Sequence, residues 1–162
     1  MVKSPRAGTK VFGWLTKKKP KPTQIDDPVF GRLTWAPSLS YWEAKIRFSP
    51  VSADVFLKIS AEEESGPGEA QYLIFQHMVE RYAEVFTAVA PLLRRNYDAA
   101  RAGDDTLPRD VPFYLEELSI PATESDSMKW EMRYFCDDGG GSTSYIVQMQ
   151  GWQPTGELFV WD

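Results

Sequence analysis

Histidine and cysteine, the residues most often used for metal binding and nucleophilic chemistry, are nearly missing from this 162-residue chain. His77 and Cys136 are the single examples of the two types. One cysteine excludes an intrachain disulfide and is typical of a reducing compartment. A zinc site needs about four such ligands, and the chain has two. A nucleophilic Cys–His pair would require His77, in a predicted helix, to meet Cys136, at an inward position of a predicted strand where a cysteine is usually inert. We therefore expect no enzymatic activity, no metal and no cofactor.

Long apolar runs are missing as well. No stretch approaches the roughly 20 apolar residues of a membrane-spanning helix. The apolar run at residues 11–15 is too short for the hydrophobic region of a secretory signal. The glycines of residues 139–141 have no following lysine or helix start, so they do not form a phosphate-binding loop. These absences predict a cytoplasmic protein with no membrane span.

Acidic residues are absent from residues 1–25, which contain seven Lys or Arg. The whole chain has 18 basic and 23 acidic residues, so residues 26–162 hold 11 basic against 23 acidic, a net charge of −12. Charge repulsion and two prolines disfavour regular structure in residues 17–22. We predict a basic N-terminal extension at residues 1–25 and a single acidic domain at residues 26–162, a division that favours electrostatic partnering.

Two hydrophobic periodicities predict the fold. Period-two alternation predicts three strands, then apolar residues at three- and four-residue spacing predict a helix over about residues 69–96, and four strands follow. Pro91 inside the helix predicts a kink or a break. The predicted strands cover residues 31–35, 41–48, 53–60, 113–120, 128–136, 145–150 and 157–161. The order βββ-α-ββββ predicts a two-layer α+β fold, with a twisted antiparallel sheet of about six to seven strands and the helix on one face.

One helix cannot cover both faces of such a sheet, so an open face is expected. Five apolar residues fall on the side opposite the helix, namely Phe56, Phe135, Ile146, Phe159 and Trp161. If their strands are neighbours, these side chains form an apolar patch that is typical of an interaction or dimer interface. The alternative is that the extension, a loop or strong sheet curvature covers the patch.

Acidic pairs supply the remaining polar candidates. Paired carboxylates can catalyse glycoside hydrolysis or bind calcium. The loop at residues 137–140 lacks the spacing of an EF-hand, so the simpler interpretation is that the acidic pairs are solvated loop charges. Acidic loops beside an aromatic residue are also suited to a basic protein partner. The predicted partner-binding residues are Glu62, Glu63, Glu64, Asp137, Asp138 and Trp152.

Residues 26–162 resemble a family of uncharacterised bacterial α+β domains found among immunity-like, toxin-associated proteins. The resemblance rests on the segment Asp-Asp-Pro-Val-Phe-Gly-Arg-Leu-Thr-Trp at residues 26–35 and on the strand sequences at residues 42–48 and 55–59. It continues through the long helix and the C-terminal strands. The family has no known catalytic residues, so the resemblance implies a small binding domain and transfers no active site.

Three functions follow as hypotheses. The first is an immunity-type protein, or antitoxin, that binds and neutralises a basic toxin domain through its acidic, aromatic-bearing surface. The second is a scaffold or adaptor that dimerises or recruits a partner through the open sheet face. The third is association with nucleic acid or an anionic surface, which only the basic residues 1–25 can provide because the acidic domain repels phosphate.

Overall fold

A computed structural model describes residues 22–62, 64–102, 108, 110–137, 139 and 141–161. Over these residues, eight strands form one sheet and one long α-helix packs against it. A three-residue 3-10 helix, Ser49–Val51, connects two of the strands. The strands are β1 (Gln24–Asp27), β2 (Gly31–Ala36), β3 (Tyr41–Phe48), β4 (Ala53–Ser60), β5 (Tyr114–Ile120), β6 (Lys129–Asp137), β7 (Ser142–Gln150) and β8 (Gln153–Trp161), and the helix is α1 (Glu69–Ala100).

The α+β class is confirmed, but the predicted strand count and order are wrong. The order is ββββ-α-ββββ, with the strands lying side by side in chain order from β1 to β8. The additional strand is β1, which reads Gln-Ile-Asp-Asp and has neither apolar alternation nor β-branched residues beyond Ile25. All strand pairs are antiparallel except β4 and β5, which are parallel because α1 carries the chain back to the end where β4 began.

The helix α1 is longer than its sequence predicts and is not interrupted by proline. It extends from Glu69 to Ala100, about 48 Å at the usual rise per residue. No break occurs at Pro91, whose side chain is exposed, and the predicted kink there stays a prediction. Gln71 fixes the first turn, because its Oε1 accepts the Gly68 N–H at 3.0 Å and its Nε2 donates to the Ser60 carbonyl at 2.6 Å.

The sheet curves around the first half of α1. On one side, Phe75 packs against Phe30 of the β1–β2 turn, with ring centroids 5.2 Å apart. On the other side, His77 and Arg81, which are one helical turn apart, contact the ring of Trp152 in the turn between β7 and β8. Because consecutive turns of one helix reach both halves of the sheet, the sheet forms a trough around the helix.

The helix-facing side of the sheet confirms the predicted alternation. Trp42, Ala44 and Phe48 of β3 are buried, and Val55, Leu57 and Ile59 of β4 lie beside them. In β6 the inward positions are all buried, and they are Trp130, Met132, Tyr134 and Cys136. Burial raises the pKa of the Tyr134 hydroxyl well above its ordinary value, an effect strengthened by Tyr82. The core therefore occupies the space between this face and α1, and none of the described helices or strands packs on the opposite face.

Gln71 offers a test of how the helix start is attached to the sheet. Gln71→Ala removes two hydrogen bonds from a side chain that is 5% exposed and leaves the Ser60 carbonyl and the Gly68 N–H without that partner. We expect the free energy of unfolding to fall by about 1–3 kcal/mol, measured by urea denaturation. Gln76→Ala is the control, because the Gln76 side chain is exposed and donates a hydrogen bond to the exposed Glu80, so its loss should cost at most about 0.5 kcal/mol. Equal losses would contradict this role for Gln71.

Candidate interaction surface

The outer face is the side of the sheet opposite α1, and the strand register determines which residues are neighbours on it. One row crosses the sheet from Phe56 on β4 through Glu117 and Arg133 to Ile146 and Phe159 on β7 and β8. Residues in such a row lie about 5 Å apart, and the next row along the strands lies about 7 Å away. The outer face can therefore be read as rows of neighbouring side chains.

Five apolar side chains form a continuous group on β5 to β8, and we call them the outer-face patch. They are Tyr114, Phe135, Ile146, Phe159 and Trp161. Tyr114 stacks on Phe135 with ring centroids 5.1 Å apart, and Ile146 is paired directly with Phe159. Tyr114, Phe159 and Trp161 are 49%, 54% and 67% exposed. The patch ends at β8, which is an edge of the sheet.

Tyr114 was missing from the predicted patch, and a β-bulge explains why. The register between β5 and β6 shifts between Leu115 and Glu117, which leaves Glu116 as the extra residue. Leu115 and Leu118 are consequently both buried although they are three positions apart, and simple alternation fails across them. The sequence signal for the bulge is the spacing of Leu115 and Leu118, which are three positions apart where regular alternation would place inward residues two or four apart.

Phe56 is separated from the outer-face patch, and its predicted place in an interface stays a prediction. Phe56 is 50% exposed on the outer face, but Glu117 and Arg133 separate it from Ile146. Its neighbour on β3 is Lys45, whose ammonium lies 5.9 Å from the centre of the Phe56 ring. Phe56 is thus an isolated ring within a charged region.

That charged region is organised by Glu117. Its carboxylate lies 2.7 Å from the Lys58 ammonium and 3.7 Å from the Arg133 guanidinium, and its side chain is 15% exposed. The Lys58 ammonium also lies 5.7 Å from the centre of the Tyr41 ring. Burial raises the pKa of Tyr41, and the negative charges of Glu43 and Glu117 add to the shift. The centre of the outer face is therefore a partly buried cluster of one carboxylate and two cations beside the outer-face patch.

The predicted acidic partner-binding residues are not brought together. Glu62 and Glu64 follow β4, at the end of the sheet where β6 begins, whereas Asp137 is the last residue of β6. At about 3.3 Å per residue, Trp130 near the first end and Asp137 at the other are about 23 Å apart. Glu63 and Asp138 lie outside the described residues. Both ends of the sheet therefore carry acidic groups, and the role of these residues in partner binding stays a prediction.

Three of these predicted residues, Glu64, Asp137 and Trp152, have structural partners. Glu64 accepts a hydrogen bond from the Thr23 hydroxyl at 3.1 Å, and Asp137 accepts one from the Gly139 N–H at 3.0 Å. Trp152 is half-buried, with Trp130 on one side and the Arg81 guanidinium 4.8 Å from its ring centre. The turn that positions Trp152 requires Gly151, since its φ is +54° and a Cβ there would lie 2.9 Å from the Asp126 carbonyl oxygen.

A groove of about 700 Å³ lies between the second half of α1 and the segment that precedes β5. Phe86, Pro91, Val111 and Phe113 supply apolar walls. Arg94 is held at its edge by the Asp110 carboxylate and by the Val111 carbonyl, both 3.1 Å away. The groove has the size of a ligand site, but its charged side chains are already paired with each other.

The single histidine is engaged in a structural contact. His77 Nδ1 lies 3.0 Å from both carboxylate oxygens of Glu124, which ties the loop before β6 to α1. Over the described ranges, no three His, Cys, Asp or Glu side chains are grouped so as to hold a metal ion. No helix in the same part of the chain is long and apolar enough to span a membrane.

No protein-family model, no curated protein and no solved structure matches this chain. Its function must therefore be argued from the surface itself. All seven basic residues proposed for nucleic-acid binding are in residues 1–21, which lie outside the described part of the chain. Within the described part, the outer-face patch holds three of the eight large apolar side chains that are exposed, namely Tyr114, Phe159 and Trp161.

Glu117 provides a direct test of the charge cluster beside the patch. Glu117→Ala leaves Lys58 and Arg133 as two partly buried like charges, so the free energy of unfolding should fall by about 1–3 kcal/mol in urea denaturation. The control is Asp54→Ala, since Asp54 also contacts two cations but its side chain is 53% exposed. That change should cost less than about 1 kcal/mol. A cost for Glu117→Ala no larger than for Asp54→Ala would contradict the proposed organisation.

Proposed function

We propose that this protein is a non-enzymatic binding domain that recognises another protein through the outer-face patch. The observation that carries the proposal is the exposure of three aromatic rings of the outer-face patch, Tyr114 on β5 and Phe159 and Trp161 on β8, on a sheet face that no other helix or strand of the described residues covers. Tyr and Trp are the residues most enriched at interface hot spots, because each buries a large area and loses little conformational freedom on binding.

The size of the patch indicates how a partner would use it. With about 200 Å² of surface for each ring, the exposed fractions of Tyr114, Phe159 and Trp161 sum to on the order of 350 Å². This is comparable with the largest patches on monomeric proteins, which are often functional. It is less than half of the roughly 800 Å² that one partner contributes to a standard interface. The patch therefore supplies an apolar centre, and polar neighbours such as Glu117 and Arg133 supply the rim.

Replacing Phe159 at the centre of the patch tests this function. Phe159→Asp puts a charge opposite Ile146 on the outer face, so a partner captured from the native host by the tagged wild-type protein should be lost. After the partner has been purified, its dissociation constant for the variant should rise at least about 30-fold, a typical hot-spot effect. Calorimetry of the purified pair gives that constant.

Leu39→Asp is the matched control, since Leu39 is 60% exposed but lies in the β2–β3 turn, away from the patch. It should bind the partner as the wild type does. The proposal is wrong if Phe159→Asp also binds normally. If light scattering shows a wild-type dimer that only Phe159→Asp dissociates, the partner at this surface is a second copy of the chain.

The immunity-type function is a second candidate, favoured by the net charge of −12 on residues 26–162. Here the partner is a basic toxin domain, attracted by long-range electrostatic steering. The resemblance to immunity-like domains agrees with this candidate. The separation of the acidic groups implies that a toxin would contact either the Glu62 end or the Asp137 end first, or would extend across the outer face between them.

Charge reversal at the two ends distinguishes these modes. Glu62→Lys with Glu64→Lys changes one end, and Asp137→Lys changes the other. At low salt, the variant at the end that the toxin approaches should associate about tenfold more slowly with the captured partner, and the difference should shrink at high salt. Stopped-flow mixing at two salt concentrations measures both effects. Unchanged association for both variants would rule out electrostatic steering through these residues.

A further inference from the structure

The two edges of the sheet differ in how well they resist pairing with another strand. At one edge, β1 is four residues long and carries Asp26 and Asp27, and short charged edges resist strand addition. At the other edge, β8 is nine residues long, and no described strand pairs with its outer side. Every second residue of such an edge directs its backbone N–H and C=O groups away from the sheet. The strand β8 therefore offers hydrogen-bonding groups to an added strand.

Within β8, the part best suited to pairing is the second half, residues 158–161. Pro154 in the first half lacks the N–H that a regular ladder of hydrogen bonds needs. The second half reads Leu-Phe-Val-Trp and contains neither charge nor proline. Phe159 and Trp161 are exposed on the outer face, and Val160 is 48% exposed on the helix-facing side. A strand added here would therefore cover apolar surface on both faces of the sheet.

We infer that the protein partner adds an extended, basic peptide segment to residues 158–161 as a ninth strand of the sheet. The inference rests on the proposed function, because Phe159 and Trp161 belong to the outer-face patch. In an added strand, every second side chain lies beside these two rings, and the others lie beside Val160. The segment that fits therefore carries aromatic or branched apolar residues at alternate positions. Main-chain hydrogen bonds supply affinity in this mode of recognition, and the alternate side chains supply specificity.

The position of the outer-face patch at the edge compensates for its limited area. Its exposed rings sum to on the order of 350 Å², against the roughly 800 Å² that one partner contributes to a standard interface. Hydrogen bonds along an edge strand add affinity that does not depend on buried side-chain area. Because β8 is both the edge of the sheet and the boundary of the patch, one extended segment can use the backbone and the rings together.

Charge complementarity indicates basic ends for the segment and argues against a second copy of the chain. Glu157 directly precedes the second half of β8, and Asp137 lies at the end of the sheet where Trp161 is found. Over the described residues, no cation forms an ion pair with either carboxylate. A segment with Lys or Arg at both ends is attracted to these charges. A second β8 strand would instead bring together two domains that each carry a net charge of −12 over residues 26–162.

A synthetic peptide tests the pairing on the full-length protein. The probe reads Lys-Thr-Phe-Val-Trp-Thr-Lys, which puts two rings on one face of an extended strand, Val on the other, and a positive charge at each end. It should shift the NMR signals of residues 158–161 and of the outer-face patch. At saturation, the amides of residues 158–161 that point away from β7 should exchange about tenfold more slowly than in the free protein. Absence of binding at peptide concentrations up to about 1 mM would overturn the inference.

Methylation of the peptide backbone separates edge pairing from side-chain contact alone. In an extended peptide, successive residues direct their N–H groups to opposite edges. Two versions, N-methylated at the odd or at the even residues, therefore block one edge each and keep every side chain. One version should lose at least about tenfold in affinity, and the other should bind as the parent peptide does. Equal affinities for the two versions would overturn the inference.

Two matched valines test the edge from the side of the protein. Val160 and Val29 are both 48% exposed, but Val29 lies in the β1–β2 turn. Val160→Lys puts a charge on the edge without changing a ring of the outer-face patch, so the affinity for the peptide should fall at least about tenfold. Val29→Lys adds the same charge far from β8 and should bind the peptide as the wild type does. Equal affinities for the two variants would contradict pairing at this edge.

The same variants distinguish a failure of this inference from a failure of the proposed function. If the captured partner is lost in Phe159→Asp but binds normally to Val160→Lys, the patch acts without the edge, which overturns the inference and leaves the proposed function standing. Normal capture by Phe159→Asp contradicts the proposed function, whatever the peptide does.

Discussion

The packing of one helix against one face of an eight-stranded sheet is the interaction on which the rest of the structure depends. The apolar side of α1 is buried among the inward residues of β2 to β7, and the sheet curves around the helix as a result. The sheet consists of two antiparallel halves, which are joined by the parallel pairing of β4 with β5. Because α1 occupies only the inner side, the outer face must be stabilised by its own side chains. It does so with the Glu117 charge cluster at its centre and leaves the aromatic rings near β8 exposed.

The outer face therefore combines two surfaces with different consequences for binding. Around Glu117, one carboxylate is paired across strands with two cations, so its negative charge is already compensated. Around Ile146, exposed rings are covered by no other helix or strand of the described residues, and they would gain free energy by leaving water. This contrast favours an apolar contact at β5 to β8, with the acidic character of the domain acting at longer range on the rate of encounter.

Much of the fold could be predicted from periodicity, and the failures have local physical causes. Trp42, Ala44 and Phe48 alternate with charged residues, so β3 and its inward face were correctly predicted. The strand β1 lacks any such pattern and exists through pairing with β2. The patch was only partly predictable, because the bulge at Glu116 brings Tyr114 into it and strand order removes Phe56. The separation of Glu62 from Asp137 depends on which strand ends lie together, which composition does not encode.

Hydroxyl-radical footprinting of the full-length chain, alone and bound to the partner that it captures, tests the central claim most directly. Oxidation rates of individual side chains report their exposure to solvent. Binding through the outer-face patch predicts that Tyr114, Phe159 and Trp161 become protected in the complex while Leu39 stays reactive. Protection elsewhere on the domain, with these three rings as reactive as in the free protein, would show that the partner binds another surface.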